Sequence, residues 1–171
     1  LLAVEYPLDA MAQILESYGR DRPVTRWVDE MEIFVVPLVN PDGNAMFIHE
    51  TRFATRKNAR DTNHDGIHDP FEGVDLNRNY PFGWGEKGSS GRPYSKYFRG
   101  IGPGSEPESA SMMALADRQH FAASISFHTF GSAVFSPYSV EGVQNPDPDV
   151  ALAVAREMAE AAPVGPDERE Y

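Results

Sequence analysis

An α/β fold, a mostly parallel or mixed sheet flanked by helices and carrying long loops, is predicted by three features of the sequence. Two apolar runs rich in β-branched and aromatic residues, MEIFVVPLV (31–39) and AASISFHTF (122–130), have the length and composition of buried strands. Amphipathic segments alternate with them, as expected for helices packed on a sheet. Between the runs lies a long stretch rich in Gly, Pro, Asn and Ser that nevertheless keeps its aromatic residues, the composition of ordered binding loops.

Leu8, Met11, Leu15 and Tyr18 share one helical face, so a helix is predicted over Pro7–Tyr18, with Gly19 as its stop. The strand 31–39 follows and is closed by the turn residues Asn40-Pro41-Asp42-Gly43. No helix is predicted from there to Gly104. Ser105 and Glu108 form a capping-box pattern that heads a helix reaching about His120. The strand 122–130, the short apolar run SAVFSPY and a last helix marked by Val150, Val154 and Met158 complete the chain. Its 171 residues are enough to bury a core, and one domain is expected over 1–171.

Charge narrows the partners. With 26 acidic against 15 basic residues and a formal charge of −11, the chain repels phosphate backbones, which excludes nucleic acid and favours cations. No apolar run is long enough to span a membrane, and the first residues lack the pattern of a signal peptide. The absence of cysteine removes disulfides and thiolate metal sites.

The loop DTNHDGIHDPFE, residues 61–72, places Asp61, Asn63, Asp65, Gly66, Asp69 and Glu72 in the order of an EF-hand calcium loop. Ile67 falls where such loops offer a backbone carbonyl. Calcium takes several hard oxygens, and alternating acidic side chains around a sharp glycine turn supply them. Pro70 and the GVDLN that follows argue against flanking helices, so the expectation is an EF-hand-like calcium loop inserted in another fold. A calcium loop in turn implies a secreted, extracellular protein; a plain polar surface loop is the alternative.

Immediately downstream, Arg78 offers a planar fork of donors suited to a carboxylate, and Asn77 and Asn79 add amide donors. Read in order, VPLVNPDGNAMF, RKNAR, GVDLNRNYPFGWG, GSSGRPYSKYFRG, SEPE and SISFHTF with FSPYS resemble the zinc metallocarboxypeptidases of the carboxypeptidase A and T type, the funnelin group. The resemblance covers nearly the whole chain and implies a carboxypeptidase-like (phosphorylase/hydrolase-like) fold with long active-site loops. It implies a zinc-dependent enzyme that hydrolyses C-terminal residues from peptides bearing a free C-terminal carboxylate. By the same resemblance His128 is a zinc ligand, Arg56 polarises the scissile carbonyl, Asn77 and Arg78 grip the substrate carboxylate, and Asp75 orients a zinc-ligating histidine. RFATRKNAR carries one residue more than the family pattern before its RK, which loosens the register at Arg56.

The family's His-x-x-Glu, which brings two zinc ligands, does not occur here, and its catalytic Glu and substrate-capping Tyr are not matched. The resemblance therefore implies an incomplete peptidase catalytic domain, inactive in isolation because zinc needs three protein ligands. It also implies cis peptides at Thr129-Phe130 and Pro137-Tyr138. A non-catalytic, calcium-stabilised peptide-binding domain and a cell-wall-peptide amidase of the same fold are the competing readings.

Overall fold

In the computed structural model, which describes residues 2–49, 56–67, 69, 71–129, 133–138, 140 and 142–161, the first helix, α1 (Leu2–Ser17), begins five residues before the predicted start. Pro7 lies inside it, where its missing N–H removes the backbone bond to the Ala3 carbonyl. A second helix, α2 (Arg22–Glu30), was not predicted. It buries none of its residues, yet both its face and its start are encoded: Val24, Trp27, Val28 and Met31 recur at helical spacing, the Asp21 carboxylate accepts from the Val24 N–H at 3.2 Å and a proline sits in the first turn.

The predicted turn at Asn40–Gly43 is instead the start of a helix, α3 (Pro41–His49). Asn40 Oδ1 accepts from the Gly43 N–H at 2.9 Å, and Pro41 occupies the first position. Asn-Pro-Asp-Gly serves a turn or a capped helix start equally well, and here the helix wins. The same Asn40 donates its amide to the Lys57 carbonyl at 3.1 Å, which fixes α3 against the segment that follows. A 3-10 turn, Leu76–Arg78, is a further departure from the helix-free reading of the loops.

The helix predicted from Ser105 is α4 (Pro107–Gln119), ended by His120 in a left-handed conformation, φ 49°. Its cap differs from the capping box. Glu106 is the N-cap residue and makes no side-chain cap bond, Ser105 Oγ donates to Glu106 Oε1 at 2.7 Å, and Glu108 accepts from the Asn58 amide instead. The runs at 31–36 and 122–128 form no ladder among the described residues. They are tied by rings: Phe34 meets Phe121 edge-on at 5.4 Å, and Tyr6 of α1 stacks on Phe127 at 6.0 Å.

Packing separates Leu1–Thr129 from Phe130–Tyr171. The second unit contains α5 (Pro148–Ala161), the last helix predicted. In it Asn145 donates to the Pro137 carbonyl at 2.9 Å, and the expected cis bond is present at Pro137–Tyr138; Thr129–Phe130 lies outside the described residues. In the first unit the core lies beneath the loops. Val74, Leu76 and Phe98 are buried together with the polar side chains of Lys57, Asn58, Glu72, Asp75, Asn79, Glu106 and Ser109.

Candidate functional site

The site is assembled by short backbone pairings between loops. Lys57 pairs antiparallel with Asp75, the Asn58 N–H donates to the Val74 carbonyl at 2.9 Å, and the Asp75 N–H donates to the Phe98 carbonyl at 2.8 Å. Three segments distant in sequence thus run side by side. Gly73 makes the approach possible: at φ +89°, any Cβ there would overlap the Asn58 carbonyl.

Asp75 is at the centre, 1 % exposed. Its Oδ1 accepts from the Asn77 N–H at 3.1 Å and so caps the 3-10 turn that presents Asn77 and Arg78. Its Oδ2 lies 2.7 Å from Arg56 Nε, an ion pair in which Oδ2 receives no well-directed hydrogen bond. Burial pushes the Asp75 carboxyl above the ordinary aspartate range, opposed by the charges of Arg56 and Arg78. Arg56 keeps 40 % of its side chain exposed.

Arg78 is oriented from both sides, Nε donating to the Gly88 carbonyl and Nη1 to the Asn77 carbonyl, each at 2.8 Å. Asn77 is exposed. The structure therefore brings Arg56, Asp75, Asn77 and Arg78 onto adjacent segments, with two guanidinium groups around one buried carboxylate. Asn79, expected to add a donor to this group, does not: it is fully buried. Its amide donates to the carbonyls of Arg99 (2.9 Å) and Gly102 (3.1 Å) and to Ser105 Oγ (2.9 Å). Its Oδ1 accepts from the Glu106 N–H at 3.1 Å and from Ser109 Oγ. It is scaffold for the head of α4.

Two residues here escaped the sequence reading. Lys57, buried, donates Nζ to the carbonyls of Phe71 (2.8 Å) and Pro93 (2.7 Å), and burial lowers its pKa against the opposing charges of Asp75, Glu72 and Asp69. The Tyr97 ring lies under the Arg56 guanidinium carbon at 5.2 Å, that of Arg78 at 5.9 Å and the Lys96 ammonium at 4.8 Å. Both lie inside motifs that carry the resemblance, Lys57 in RKNAR and Tyr97 in GSSGRPYSKYFRG, but neither motif assigns them a role.

The acidic loop closes on itself. Asp61 accepts from the N–H groups of Gly66 (2.9 Å) and His64 (2.6 Å), and these bonds, that from Gly66 above all, hold its carboxyl below the ordinary range. Asp65 accepts from Ile67 N–H at 2.7 Å and Asn63 from Asp65 N–H at 2.8 Å. Glu72, 1 % exposed, accepts from the N–H groups of Asn63 (3.1 Å) and Asp69 (3.3 Å). Carboxylate oxygens of Asp61, Asp65 and Glu72 lie within 4.8 Å of one another. Asn63 and Asp69 shape the loop, Asp69 Oδ1 accepting from Phe71 N–H at 2.7 Å.

His128 is exposed, its Nε2 3.1 Å from Ser126 Oγ. No hydrogen bond or ring contact among the described residues joins it to the Arg56–Asp75–Arg78 group. Among the described residues no further metal-ligating side chains gather with His128 into a donor set for zinc; the carboxylate trio is an all-oxygen group of the kind calcium prefers. The buried Asp75 Oδ2 that lacks a directed donor does fit a carboxylate that orients a ligating imidazole.

A zinc carboxypeptidase family model matches residues 2–171. The metallocarboxypeptidase A of Trichophyton tonsurans is 36 % identical over 140 residues, 80 % of this chain and 32 % of the relative. Human carboxypeptidase A5 is 38 % identical over 136 residues, 78 % of this chain and 30 % of the relative. Among solved structures, thrombin-activatable fibrinolysis inhibitor superposes with a TM-score of 0.78 at 28 % identity, over 90 % of this chain and 38 % of that one. Carboxypeptidase A from Helicoverpa armigera superposes with a TM-score of 0.60 at 30 % identity, over 74 % and 30 %. The chain thus has the carboxypeptidase fold and spans about a third of the length of the curated relatives it matches. Matched over residues 2–171 by the family model, and over 80 % and 78 % of its length by relatives above 30 % identity, it belongs to the zinc carboxypeptidase family.

Proposed function

We propose that the full-length protein is a zinc-dependent carboxypeptidase that releases C-terminal residues from peptides, and that this chain supplies the part of its catalytic domain that recognises the substrate. The observation that carries the reading is the convergence of Arg56 and Arg78 on the buried Asp75, next to the exposed Asn77, within a chain of this family. Arg78 and Asn77 hold the terminal carboxylate; the planar fork fixes its orientation as well as its charge. Arg56, anchored by Asp75 and open on its other side, stabilises negative charge developing on the scissile carbonyl. Asp75 in turn orients a ligating imidazole. His128 contributes one metal ligand, and the remaining ligands and the general base belong to the rest of the protein. Zinc, when bound, supplies a Lewis acid and an activated water. The runs at 31–39 and 122–130 belong to a mixed, mostly parallel sheet of one catalytic domain.

The loop 61–72 holds calcium through Asp61, Asn63, Asp65, Asp69, Glu72 and the Ile67 carbonyl. The sequence pattern and the proximity of three of its carboxylates support this. Taken as a structural site that stays filled at the calcium concentration outside cells, the loop goes with a secreted protein.

The test is to incubate the purified full-length protein with a peptide of defined sequence and to follow release of its terminal residue with and without a zinc chelator. Release that stops on chelation and returns with zinc supports the reading. A protein that binds the peptide but never cleaves it is a peptide-binding domain, and the reading fails.

A further inference from the structure

We propose that Tyr97 is a positioning residue of the substrate site, its ring serving as the common surface that sets the spacing of Arg56 and Arg78. This rests on the carboxypeptidase reading above and adds to it a residue that neither binds metal nor reacts.

Arg56 and Arg78 come from different loops, and each needs a lateral restraint if the two are to act on one peptide. Asp75 restrains Arg56 through Nε, and carbonyls restrain Arg78 through Nε and Nη1. These contacts act at the nitrogens, through one on Arg56 and two on Arg78, and none of them covers a guanidinium face. A ring within 6 Å of both guanidinium carbons, 5.2 Å for Arg56 and 5.9 Å for Arg78, adds a restraint from the side by electrostatic attraction between cation and π-face. The ring is itself held by the backbone. Ser90 N–H donates to the Tyr97 carbonyl at 2.9 Å, and the neighbouring Phe98 carbonyl accepts from the Asp75 N–H. The backbone that carries the ring is thus bonded to the backbone of the carboxylate that anchors Arg56. Tyr97 is half-buried, so the ring is close to the site yet shielded on part of its surface, where such contacts are stronger. Lys96 covers the same ring at 4.8 Å, so three cations share one aromatic surface in a chain whose net charge is −11. A surface that holds like charges near one another suits a substrate bearing more than one anionic group.

The experiment compares full-length wild type with Tyr97→Phe and Tyr97→Leu, using an N-acyl dipeptide with a free C-terminal carboxylate as the probe. Tyr97→Phe keeps the π-face and is expected to match wild type. Tyr97→Leu keeps apolar volume without the face, and is expected to lose about tenfold in kcat/KM, shared between a higher KM and a lower kcat because both arginines are displaced. Nε–Hε resonances of Arg56 and Arg78 provide a readout independent of catalysis: ring-current shifts should be present in wild type and Tyr97→Phe and absent in Tyr97→Leu. Equal kinetics for Leu and wild type, or arginine resonances that do not respond to the substitution, would overturn the proposal. A wild type that shows the shifts but does not hydrolyse the dipeptide would instead overturn the carboxypeptidase reading and leave the ring contact established.

Discussion

Asp75 Oδ2 lies 2.7 Å from Arg56 Nε, a pair in which the carboxylate side chain is 1 % exposed and the arginine 40 %. The asymmetry has a direction. The anion is held rigidly within the bridged loops, and the cation it anchors keeps part of its surface for another partner.

Burying Asp75 costs more than its arginines return, since its carboxyl is pushed upward by desolvation against their pull. The folded chain therefore binds that proton more tightly than the unfolded chain does. Its contribution to stability is greatest below the ordinary aspartate range and is lost as pH rises through the elevated value. Asp75→Asn should be at least as stable as wild type at pH 7, with the difference closing in acid, while activity of the full-length protein falls. Thermal melts of both across this range decide the matter; a variant markedly less stable at pH 7 and equal in acid would show the ionised carboxylate to be net stabilising.

Calcium bound in the loop 61–72 should stabilise the native state by about 2.7 kcal/mol when present at a hundredfold excess over Kd, or about 5–10 °C in Tm. Chelation, Asp61→Ala and Asp65→Ala should each remove most of this, and the substitutions should abolish the response to added calcium. Because Asp61 is held below its ordinary range, its contribution is present above that range and lost as pH falls through the lowered value. A Tm indifferent to millimolar calcium in wild type would reduce the loop to a polar turn.

Asn79→Ala leaves the Glu106 N–H without its partner and takes one of two donors from each of the Arg99 and Gly102 carbonyls, which keep Trp84 Nε1 and the Ser105 N–H, and should cost about 1–3 kcal/mol. Urea unfolding measures it. A loss below about 0.5 kcal/mol would mean that water or a shifted side chain replaces the amide.

How much of this was legible in the sequence follows from the kind of signal each element carries. α1 and α5 have apolar periodicity and were found, although Pro7 drew the start of α1 too far along the chain. α2 buries nothing, but its Asp21 cap and the helical spacing of Val24, Trp27, Val28 and Met31 were both there to mark it and were passed over. Asn40–Gly43 fits a turn and a helix start alike, and the choice was made by a contact from Asn40 to Lys57 that no local pattern encodes. Arg56, Asp75, Asn77 and Arg78 were legible as motif residues. Tyr97 and Lys57 were not, because their roles come from loops that meet only in the fold, and Asn79 was misjudged because spacing alone does not reveal burial.

The central claim is that Arg78, set beside Asn77 and the Arg56–Asp75 pair, reads the free carboxylate of a peptide's last residue. It is tested most directly in the full-length protein by comparing kcat/KM for one peptide and its C-terminal amide, in wild type and in Arg78→Met. Wild type should prefer the free acid strongly, and Arg78→Met should lose about 10- to 150-fold on the acid, the worth of one charge-assisted hydrogen-bonded contact, while changing little on the amide. Equal loss on both substrates, or wild-type cleavage indifferent to amidation, would contradict the account.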